Sequence, residues 1–326
     1  MTTMDSQFGV VDESTYGTAV TVSRFFEYNT WNVKLDPGRT ESTAIRPGTR
    51  TQIATRYEPF RRGCSGSVAL DVPTKGFGWW LDKMLGSVST GSATDSNYPH
   101  TAIEGSLYGK IFTAQANKPF HPAGTNQAHT YTGGKLVSWE LACDVEGVLV
   151  LTGDLDFQDE STAIALATAS YPTDFRVFSF AGGTITLDGS QIDIRDFRAA
   201  CNLGLNVDRR FLRGDALKKE PTENAHREYT ASFQVDHEDL TVYDFVRAAA
   251  RVDNIAPLVA TFEGPIAHGG TTLPSLQISI PAFRLDAADF DISGPDDLVD
   301  TVSGMGLDDL TNSPMTLVYT TTDATP

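Results

Sequence analysis

The feature that most restricts how this chain can fold is a strand followed directly by an amphipathic helix, within Gly66–Gly86. Val68, Leu70 and Val72 alternate with polar or small residues, which predicts a strand with one buried face. The apolar positions after it recur at helical spacing and form one stripe: Phe77, Trp80, Leu81, Met84 and Leu85. Thr74 is the predicted N-cap and Gly86 the predicted stop of this helix. A helix with one apolar stripe must pack against another element, here the sheet that the strand joins.

The same unit recurs at Tyr229–Arg251. Its strand positions and its predicted helix stripe are Ala231, Phe233, Val235, and then Val242, Phe245, Val246, Ala249 and Ala250. Asp239 or Thr241 is the predicted N-cap. Two copies of one supersecondary unit predict an internal duplication. We therefore predict two domains, residues 1–170 and 171–326, which meet at the connector Thr162–Ser170.

Composition excludes several classes of protein. The chain has 326 residues, of which 40% are hydrophobic, so it can bury a core. No run of about 18 apolar residues is present, and the N-terminus lacks the pattern of a secretory signal, so neither a membrane span nor secretion is predicted. The three cysteines are widely spaced and predict reduced thiols. A net charge of −17 argues against tight nucleic-acid binding, which needs Lys and Arg against phosphates.

The remaining segments predict a chain rich in strands. Residues 1–21 are polar and predict an arm that clasps a neighbouring molecule. The predicted strands of the first half, besides the one above, are Phe25–Leu35, Gly109–Gln115, Lys135–Cys143 and Val148–Phe157, with a polar loop at Gly91–His100. Those of the second half are Phe178–Leu187, taken to match Phe25–Leu35, then Leu258–Phe262, Leu276–Leu285, Asp291–Leu307 and Met315–Thr320. The predicted fold class is α+β and mostly β, with antiparallel sheets in both domains.

Each half also contains a long basic segment, Asp36–Gly63 and Asp188–Glu228. Long irregular segments in compact domains are uncommon and usually functional. Their cations include Arg39, Arg46, Arg50, Arg56, Arg61 and Arg62 in the first, and Arg195, Arg198, Arg209, Arg210, Arg213, Lys218 and Lys219 in the second. We expect these loops to meet acidic surfaces of neighbouring copies. A solvated loop and a nucleic-acid contact are the alternatives.

Motifs that carry chemistry are missing from the sequence. There is no phosphate-binding loop, no HExxH, no GxSxG and no CxxC pair, so we predict neither enzymatic activity nor a cofactor. An acidic cluster, GDLDFQDE, begins like a calcium loop but lacks the glycine and the glutamate that such loops need. Read as a strand, it places Asp154 and Asp156 on one wet face instead. No metal site is predicted, and calcium remains the alternative for this cluster.

The order of several segments resembles the major tail tube protein of long-tailed (siphovirus-type) actinobacteriophages. The segments that carry the resemblance are Asp12–Asn29, Leu35–Arg50, Arg62–Gly86, Lys135–Glu160, Phe211–Pro221, Leu258–Pro265, Ile292–Leu298 and Met315–Pro326. The resemblance spans nearly the whole chain and lies in the order and number of these segments. It implies a small β-sandwich or barrel with one flanking helix, so this chain would hold two such domains in tandem, each with a long basic loop.

The resemblance also implies an assembly. Sheets of neighbouring subunits join into a barrel, a long loop reaches the next ring, and rings stack into a tube. The residues in the place of the packed helix are Phe77, Trp80, Leu81 and Met84 in the first domain and Val242, Phe245 and Val246 in the second. Because single-domain tube proteins form sixfold rings, the duplication predicts a homotrimeric, pseudo-hexameric ring; six chains remain possible. About four strands per domain would give a barrel of roughly 24 strands.

By the same resemblance, the tube holds a tape-measure protein, meets tail terminator and distal tail proteins, and conducts double-stranded DNA. The chain would fold in the bacterial host cytoplasm and reside in the virion tail. An acidic lumen would keep phosphates from sticking, and the candidate lumen acids are Asp144, Asp154, Asp156, Asp286, Asp289 and Asp291. Two alternatives remain: a terminator, distal tail or baseplate hub protein of the same fold, and a carbohydrate-binding module of the virion.

Overall fold

A computed structural model describes residues 3–120, 126–237, 242–244, 254–268, 270–289 and 298–326. The chain is mostly β with few helices, which confirms the predicted fold class. The first-half strands are β1 Phe8–Asp12, β2 Arg24–Phe26, β3 Thr30–Trp31, β4 Lys34–Leu35, β5 Gly38–Glu41, β6 Tyr57–Arg61, β7 Cys64–Asp71, β8 Gly86–Thr90, β9 Tyr98–Glu104, β10 Phe112–Asn117, β11 Ala128–Asp144, β12 Val150–Phe157 and β13 Asp159–Ser161.

The second half continues the series. Its strands are β14 Gly183–Leu187, β15 Ser190–Ile192, β16 Ile194–Asn202, β17 Leu205–Asn206, β18 Thr222–Glu223, β19 Glu228–Asp236, β20 Ile255–Glu263, β21 Ser275–Asp289, β22 Val299–Gly306 and β23 Thr316–Thr321. Among the described residues, one α-helix, α1 Gly78–Leu85, and two 3-10 turns, Thr3–Asp5 and Phe180–Gly182, complete the elements with both ends defined. Within the described ranges, no helix has the length and hydrophobicity that crossing a membrane requires.

One antiparallel sheet runs through both halves of the chain, and we call it the long sheet. Its order begins with β3 and β4, which both pair with β7, and continues β7–β12–β11–β16–β19–β22–β21. The two halves meet where β11 pairs with β16, from Ser138 opposite Asn202 to Asp144 opposite Asp196. No break in hydrogen bonding marks this junction.

A second layer of strands packs over the long sheet. In the first half its order is β2–β1–β10–β11–β13, and in the second half it is β15–β14–β20–β21–β23, followed by β9 and β8. Both β11 and β21 belong to both layers, since each is long and carries a bulge, near Leu136 and near Leu285. A bulge bends a strand and raises its twist, which lets one strand pass from one layer to the other.

The pairing of the first half recurs in the second half. Trp31 lies opposite Val68 in the first half, as Phe197 lies opposite Phe233 in the second. Phe8 pairs with Phe26 and with Ala116, as Ile185 pairs with Ile192 and with Ala260. The matched strands are therefore β1 with β14, β2 with β15, β3 and β4 with β16, β7 with β19, β10 with β20, β11 with β21, β12 with β22, and β13 with β23.

This recurrence corrects three sequence-based assignments. Residues 8–12 are not part of an arm but form the buried strand β1 between β2 and β10. The segment Phe178–Leu187 therefore matches β1 through β14, rather than the strand predicted at Phe25–Leu35. The predicted loops Gly91–His100 and Asp188–Glu228 contain parts of sheet strands, namely the start of β9 and all of β15 and β16.

Helix α1 forms as its apolar stripe predicts. Every residue of the helix except Asp82 is buried, and the indole nitrogen of Trp139 donates to the carbonyl of Met84 at 3.2 Å. Gly86 ends the helix with φ 94°, and an added Cβ there would lie 2.5 Å from the carbonyl oxygen of Gly105. Only glycine satisfies both conditions.

The predicted N-cap of α1 is wrong, and only part of the second predicted helix lies within the described residues. Phe77, rather than Thr74, precedes the helix, and the Thr74 hydroxyl instead accepts from the backbone nitrogen of Arg176 at 2.9 Å. In the second half, residues 242–244 are helical and Val242 is buried. The other predicted helix positions, Phe245, Val246, Ala249, Ala250, Asp239 and Thr241, lie outside the described residues.

Candidate assembly surfaces

The long sheet ends at two strand edges that pair with no other described strand. At one end, β3 and β4 pair with β7 alone. At the other end, β21 pairs with β22 from Phe283 to Asp289, while β20 covers its opposite side only as far as Arg284. Unpaired backbone groups along a strand edge are a template for pairing with another chain.

The two edges are equivalent to strands that already pair inside the chain. β21 matches β11 and the β3–β4 edge matches β16, and β11 pairs with β16. By the same matching, Ala288 corresponds to Trp139 and Leu35 corresponds to Cys201. Trp139 lies opposite Cys201 in the junction inside the chain.

One face of the long sheet is exposed and polar, and we call it the polar face. Along β12, Thr152 and Asp154 are exposed while Leu151 and Leu155 are buried. The polar face carries more acids than bases among its described side chains: Asp71, Glu140, Asp144, Asp154, Asp196, Glu228, Asp236 and Asp286 against Lys34, Arg195, Arg198 and Arg284. Most of these cations are paired, which leaves the face with a net negative charge.

The ion pairs of the polar face are exposed. The Arg198 guanidinium lies 3.9 Å from Glu140, 3.8 Å from Asp144 and 3.9 Å from Asp196. The Arg195 guanidinium lies 2.6 Å from Asp236, and that of Arg284 lies 2.5 Å from Asp286. Exposed pairs contribute about 0–1 kcal/mol each to stability, so these groups shape the field of the face rather than hold the fold.

Two ribbons extend from matched positions of the two halves. The first ribbon, residues 36–63, follows β4 and is built on β5 and β6, with Glu41 opposite Tyr57. The second ribbon, residues 203–227, follows β16 and is built on β17 and β18, with Asn206 opposite Thr222. The segments between the paired strands, 42–56 and 207–221, are equal in length, so their residues correspond one to one.

The second ribbon is docked on the first half of its own chain. The Lys218 ammonium pairs with Asp156 at the end of β12, and the Gln158 amide donates to the Lys218 carbonyl at 2.8 Å. The Glu220 carboxylate pairs with the Lys135 ammonium at 2.7 Å. Lys218, Asp156 and Lys135 are all at least nine-tenths buried.

Burial governs the titration of this contact. It raises the pKa of Asp156 to about 6, although the Lys218 ammonium opposes this shift. Burial likewise lowers the pKa of Lys135, again against a partner, the Glu220 carboxylate. Both charged groups are thus tolerated in the contact only because an opposite charge meets them.

In the first ribbon, the hydrogen bonds of the segment between the paired strands, residues 42–56, lie within the ribbon. The Arg39 guanidinium lies over the Tyr57 ring, 5.4 Å from its centroid, and Arg56 donates to the Ala44 carbonyl at 3.4 Å. Both contacts are within the ribbon. Ile45 is 96% exposed at its tip.

The long sheet thus ends in two strand edges, each of which matches one partner of the β11–β16 pair. A family described as phage tail tube protein matches residues 3–306 of the chain. The chain belongs to this family. No curated protein matches the sequence. Membership in the tail tube family makes the chain a structural protein of the virion tail, which assembles with itself and with other tail proteins.

The cations predicted for the inter-subunit loops of this tail tube protein lie in three places. Arg39, Arg46, Arg50, Arg56, Arg61 and Arg62 lie in the first ribbon, where the side chain of Arg61 is not described. Arg195 and Arg198 lie on β16, not on a loop. Arg209, Arg210, Arg213, Lys218 and Lys219 lie in the second ribbon. Arg62 links the two ribbons, since its carbonyl accepts from Arg210 at 3.0 Å and its backbone nitrogen donates to Ala216 at 3.1 Å. Its guanidinium pairs with Asp159 of β13 at 2.8 Å.

The candidate lumen acids lie in different surroundings. Asp144, Asp154 and Asp286 lie on the polar face, and Asp154 accepts from the Ser138 hydroxyl at 2.7 Å. Asp156 shares the alternation of Asp154 but is buried beneath the second ribbon. For Asp289 only the backbone is described, and Asp291 lies outside the described residues.

The acidic cluster that resembled the start of a calcium loop faces several different partners. Asp154 bonds Ser138, Asp156 pairs with Lys218, and Asp159 pairs with Arg62. Among the residues with a described placement, no three His, Cys, Asp or Glu side chains are grouped to hold a metal ion. The three cysteines are free and buried, as the sequence predicted for reduced thiols.

Proposed function

We propose that the chain is the major tail tube subunit, and that three chains close into one ring of two tandem tail-tube-type domains each, residues 1–170 and 171–326. The observation that carries this proposal is the β11–β16 junction, because it joins the two halves through strands that are equivalent to the two free edges. Closing three long sheets in this way gives a barrel of roughly 24 strands. It also removes every free edge of the long sheet.

The polar face then lines the lumen. At ~4.8 Å per strand, roughly 24 strands enclose a backbone diameter of about 37 Å before strand tilt widens it, which is a pore rather than a packed core. The acids that outnumber the bases on this face repel phosphates, so double-stranded DNA passes without binding. A tape-measure protein occupies the same lumen during assembly, and terminator and distal tail proteins cap the tube. None of these steps requires catalysis or a cofactor.

Electron microscopy of the purified chain tests this function. We expect long tubes of stacked rings, because the subunit carries both edges that a ring needs. Single rings that never stack would instead favour a terminator, distal tail or hub protein of the same fold. Monomers that bind a polysaccharide and do not assemble, even beside a preformed tube end, would contradict the proposal.

Reversing charge on the polar face should slow DNA delivery without preventing assembly. In phage that carry Asp144→Lys and Asp154→Lys together, we expect genome release at least tenfold slower, because lysines facing the lumen attract phosphates. The delay should shrink as salt rises, since salt screens exposed charges. Release would be timed by dye entry or by DNA escape from virions exposed to receptor.

A matched control reverses two acids elsewhere. Glu104 and Glu263 are exposed on the second layer of strands, on β9 and β20. Glu104→Lys with Glu263→Lys adds the same charge and should leave the release rate within about twofold. Equal delays in both double variants, or none in either, would contradict a lumen lined by the polar face.

A further inference from the structure

The two ribbons of the chain start from equivalent positions. The second docks on the first half of the chain through its middle segment, whereas the first contacts the rest of the chain at its base, through Arg62. The second ribbon follows β16, passes over β11 and docks at the end of β12 through Lys218 and Asp156. In a ring, the equivalent path for the first ribbon starts at β4, passes over the β21 strand of the neighbouring chain and ends at that neighbour's β22. The residue there that corresponds to Asp156 is Met305, since Asp156 lies opposite Lys135 and Met305 lies opposite Arg284.

The residues of the two ribbons can be matched by counting from the paired strands of each ribbon. Lys218 lies four residues before Thr222 of β18, and Ile53 lies four residues before Tyr57 of β6. Lys218 therefore corresponds to Ile53. In the same way Arg210, four residues after Asn206, corresponds to Ile45, four residues after Glu41.

The ribbon residues and the residues they face are polar for the second ribbon and apolar at the equivalent positions for the first. In the second ribbon, the Lys218 ammonium meets the Asp156 carboxylate and the Lys218 carbonyl accepts from the Gln158 amide. Arg210, the other cation there, donates to the carbonyls of Ala216 and Arg62. The first ribbon carries Ile45 and Ile53 at the same positions. The residues that correspond to Asp156 and Gln158 are Met305 and Leu307, which are both half-buried.

The contact of the second ribbon is therefore polar on both sides, whereas the equivalent residues in the first ribbon and at the end of β22 are apolar on both sides. If the first ribbon met water or an unrelated surface, nothing would tie its isoleucines to the change at β22. Burial of apolar surface is favourable by about 25 cal/mol of free energy for each Å² removed from water, so covering the side chain of Ile45 would stabilise the contact.

We infer that the first ribbon docks on a second copy of this chain in the same ring, with Ile45 and Ile53 against Met305 and Leu307 of the neighbour. This inference rests on the proposed function, because it requires the neighbour's β21 beside β3 and β4. It differs from the expectation that the loop reaches the next ring. Around each ring the ribbon contacts therefore alternate. The second ribbon docks on its own chain, and the first ribbon docks on the neighbouring chain.

Crosslinking separates docking within a ring from docking between rings. Tubes of the Ile53→Cys, Met305→Cys double variant are treated with a short bismaleimide and analysed by denaturing electrophoresis. Docking within a ring of three gives covalent species that stop at three chains. Docking between rings joins successive rings and gives a ladder beyond three, which would overturn the inference while leaving the tube function in place. Tubes that form without any crosslink would also overturn it.

The native cysteines do not interfere, because all three are buried. Wild-type tubes and each single cysteine variant serve as controls and should give single chains. If the wild-type chain forms no rings at all, the proposed function fails together with the docking. Failure of the docking alone is recognised by intact tubes with the wrong crosslinks.

A charge exchange provides a second, independent test. Ile53→Lys with Met305→Asp copies the Lys218–Asp156 pair of the internal contact. We expect each single variant to lower the yield of tubes at least tenfold, because it places one unpaired charge in the contact. The double variant should recover to within about threefold of wild type. Additive losses in the double variant would overturn the docking of Ile53 on Met305.

Discussion

Replacing Leu35 by proline is expected to abolish tube formation while leaving the single chain folded. In the β3–β4 edge, the backbone N–H groups of Asn32 and Asp36 donate toward β7, to Ser67 at 3.1 Å and to Gly63 at 2.8 Å. Alternate residues of a strand point their N–H groups to opposite sides. The N–H of Leu35 therefore points away from β7, toward the strand that the ring would add.

Proline is tolerated on an edge strand when the lost donor faces outward, so the fold should survive. We expect the free energy of unfolding of Leu35→Pro to fall by no more than about 1 kcal/mol, whereas tube yield falls at least a hundredfold. Leu35→Val keeps the donor and should form tubes at wild-type yield. Electron microscopy measures the tubes and denaturant unfolding measures the stability. Normal tubes of Leu35→Pro would contradict ring closure through this edge.

Replacing Lys218 by methionine is expected to produce the largest loss of stability. The change leaves the Asp156 carboxylate only 6% exposed and without its cation. Removing one partner of a buried pair costs about 3–5 kcal/mol at a pH where the other stays charged. The second ribbon should then come away from β12.

The loss should depend on pH in a definite direction. Because the pKa of Asp156 is already raised to about 6, its carboxyl takes up a proton readily and becomes neutral in mildly acidic solution. The free energy of unfolding of Lys218→Met should therefore be lower at pH 8 than at pH 5, relative to wild type at each pH. Denaturant unfolding at the two pH values measures this difference.

The neighbouring lysine provides the control. Lys219 is exposed, and its ammonium lies 5.0 Å from the centroid of the Phe211 ring. Lys219→Met removes the same charge from the same ribbon but should change stability by less than about 1 kcal/mol at either pH. Equal losses in the two variants would show that Asp156 does not depend on Lys218.

Periodicity in the sequence predicted those elements whose two faces differ strongly in hydrophobicity. The stripe of α1 and its stop at Gly86 follow from spacing and from glycine chemistry alone. β16 was taken for a loop because Arg195, Asp196 and Arg198 dominate its composition. Its buried residues Phe197, Ala199 and Cys201 nevertheless alternate with exposed ones, and that signal was available.

Other features depend on contacts that no local pattern records. Alternation places Asp154 and Asp156 on one face, as the structure has them, but only the arrival of the second ribbon buries Asp156. Lys135 and Glu220 lie far apart in sequence, and nothing near either residue predicts their pairing. The short strand β1 was missed because polar segments flank its few apolar residues.

A reconstruction of the tube at a resolution that traces the chain tests whether three chains close one ring through the edges of the long sheet. We predict three chains per ring, with β21 of each chain paired to β3 and β4 of the next and Ala288 opposite Leu35. The same map would show the polar face toward the lumen. Rings of six chains, or rings in which the β21 edge meets any other strand, would contradict it.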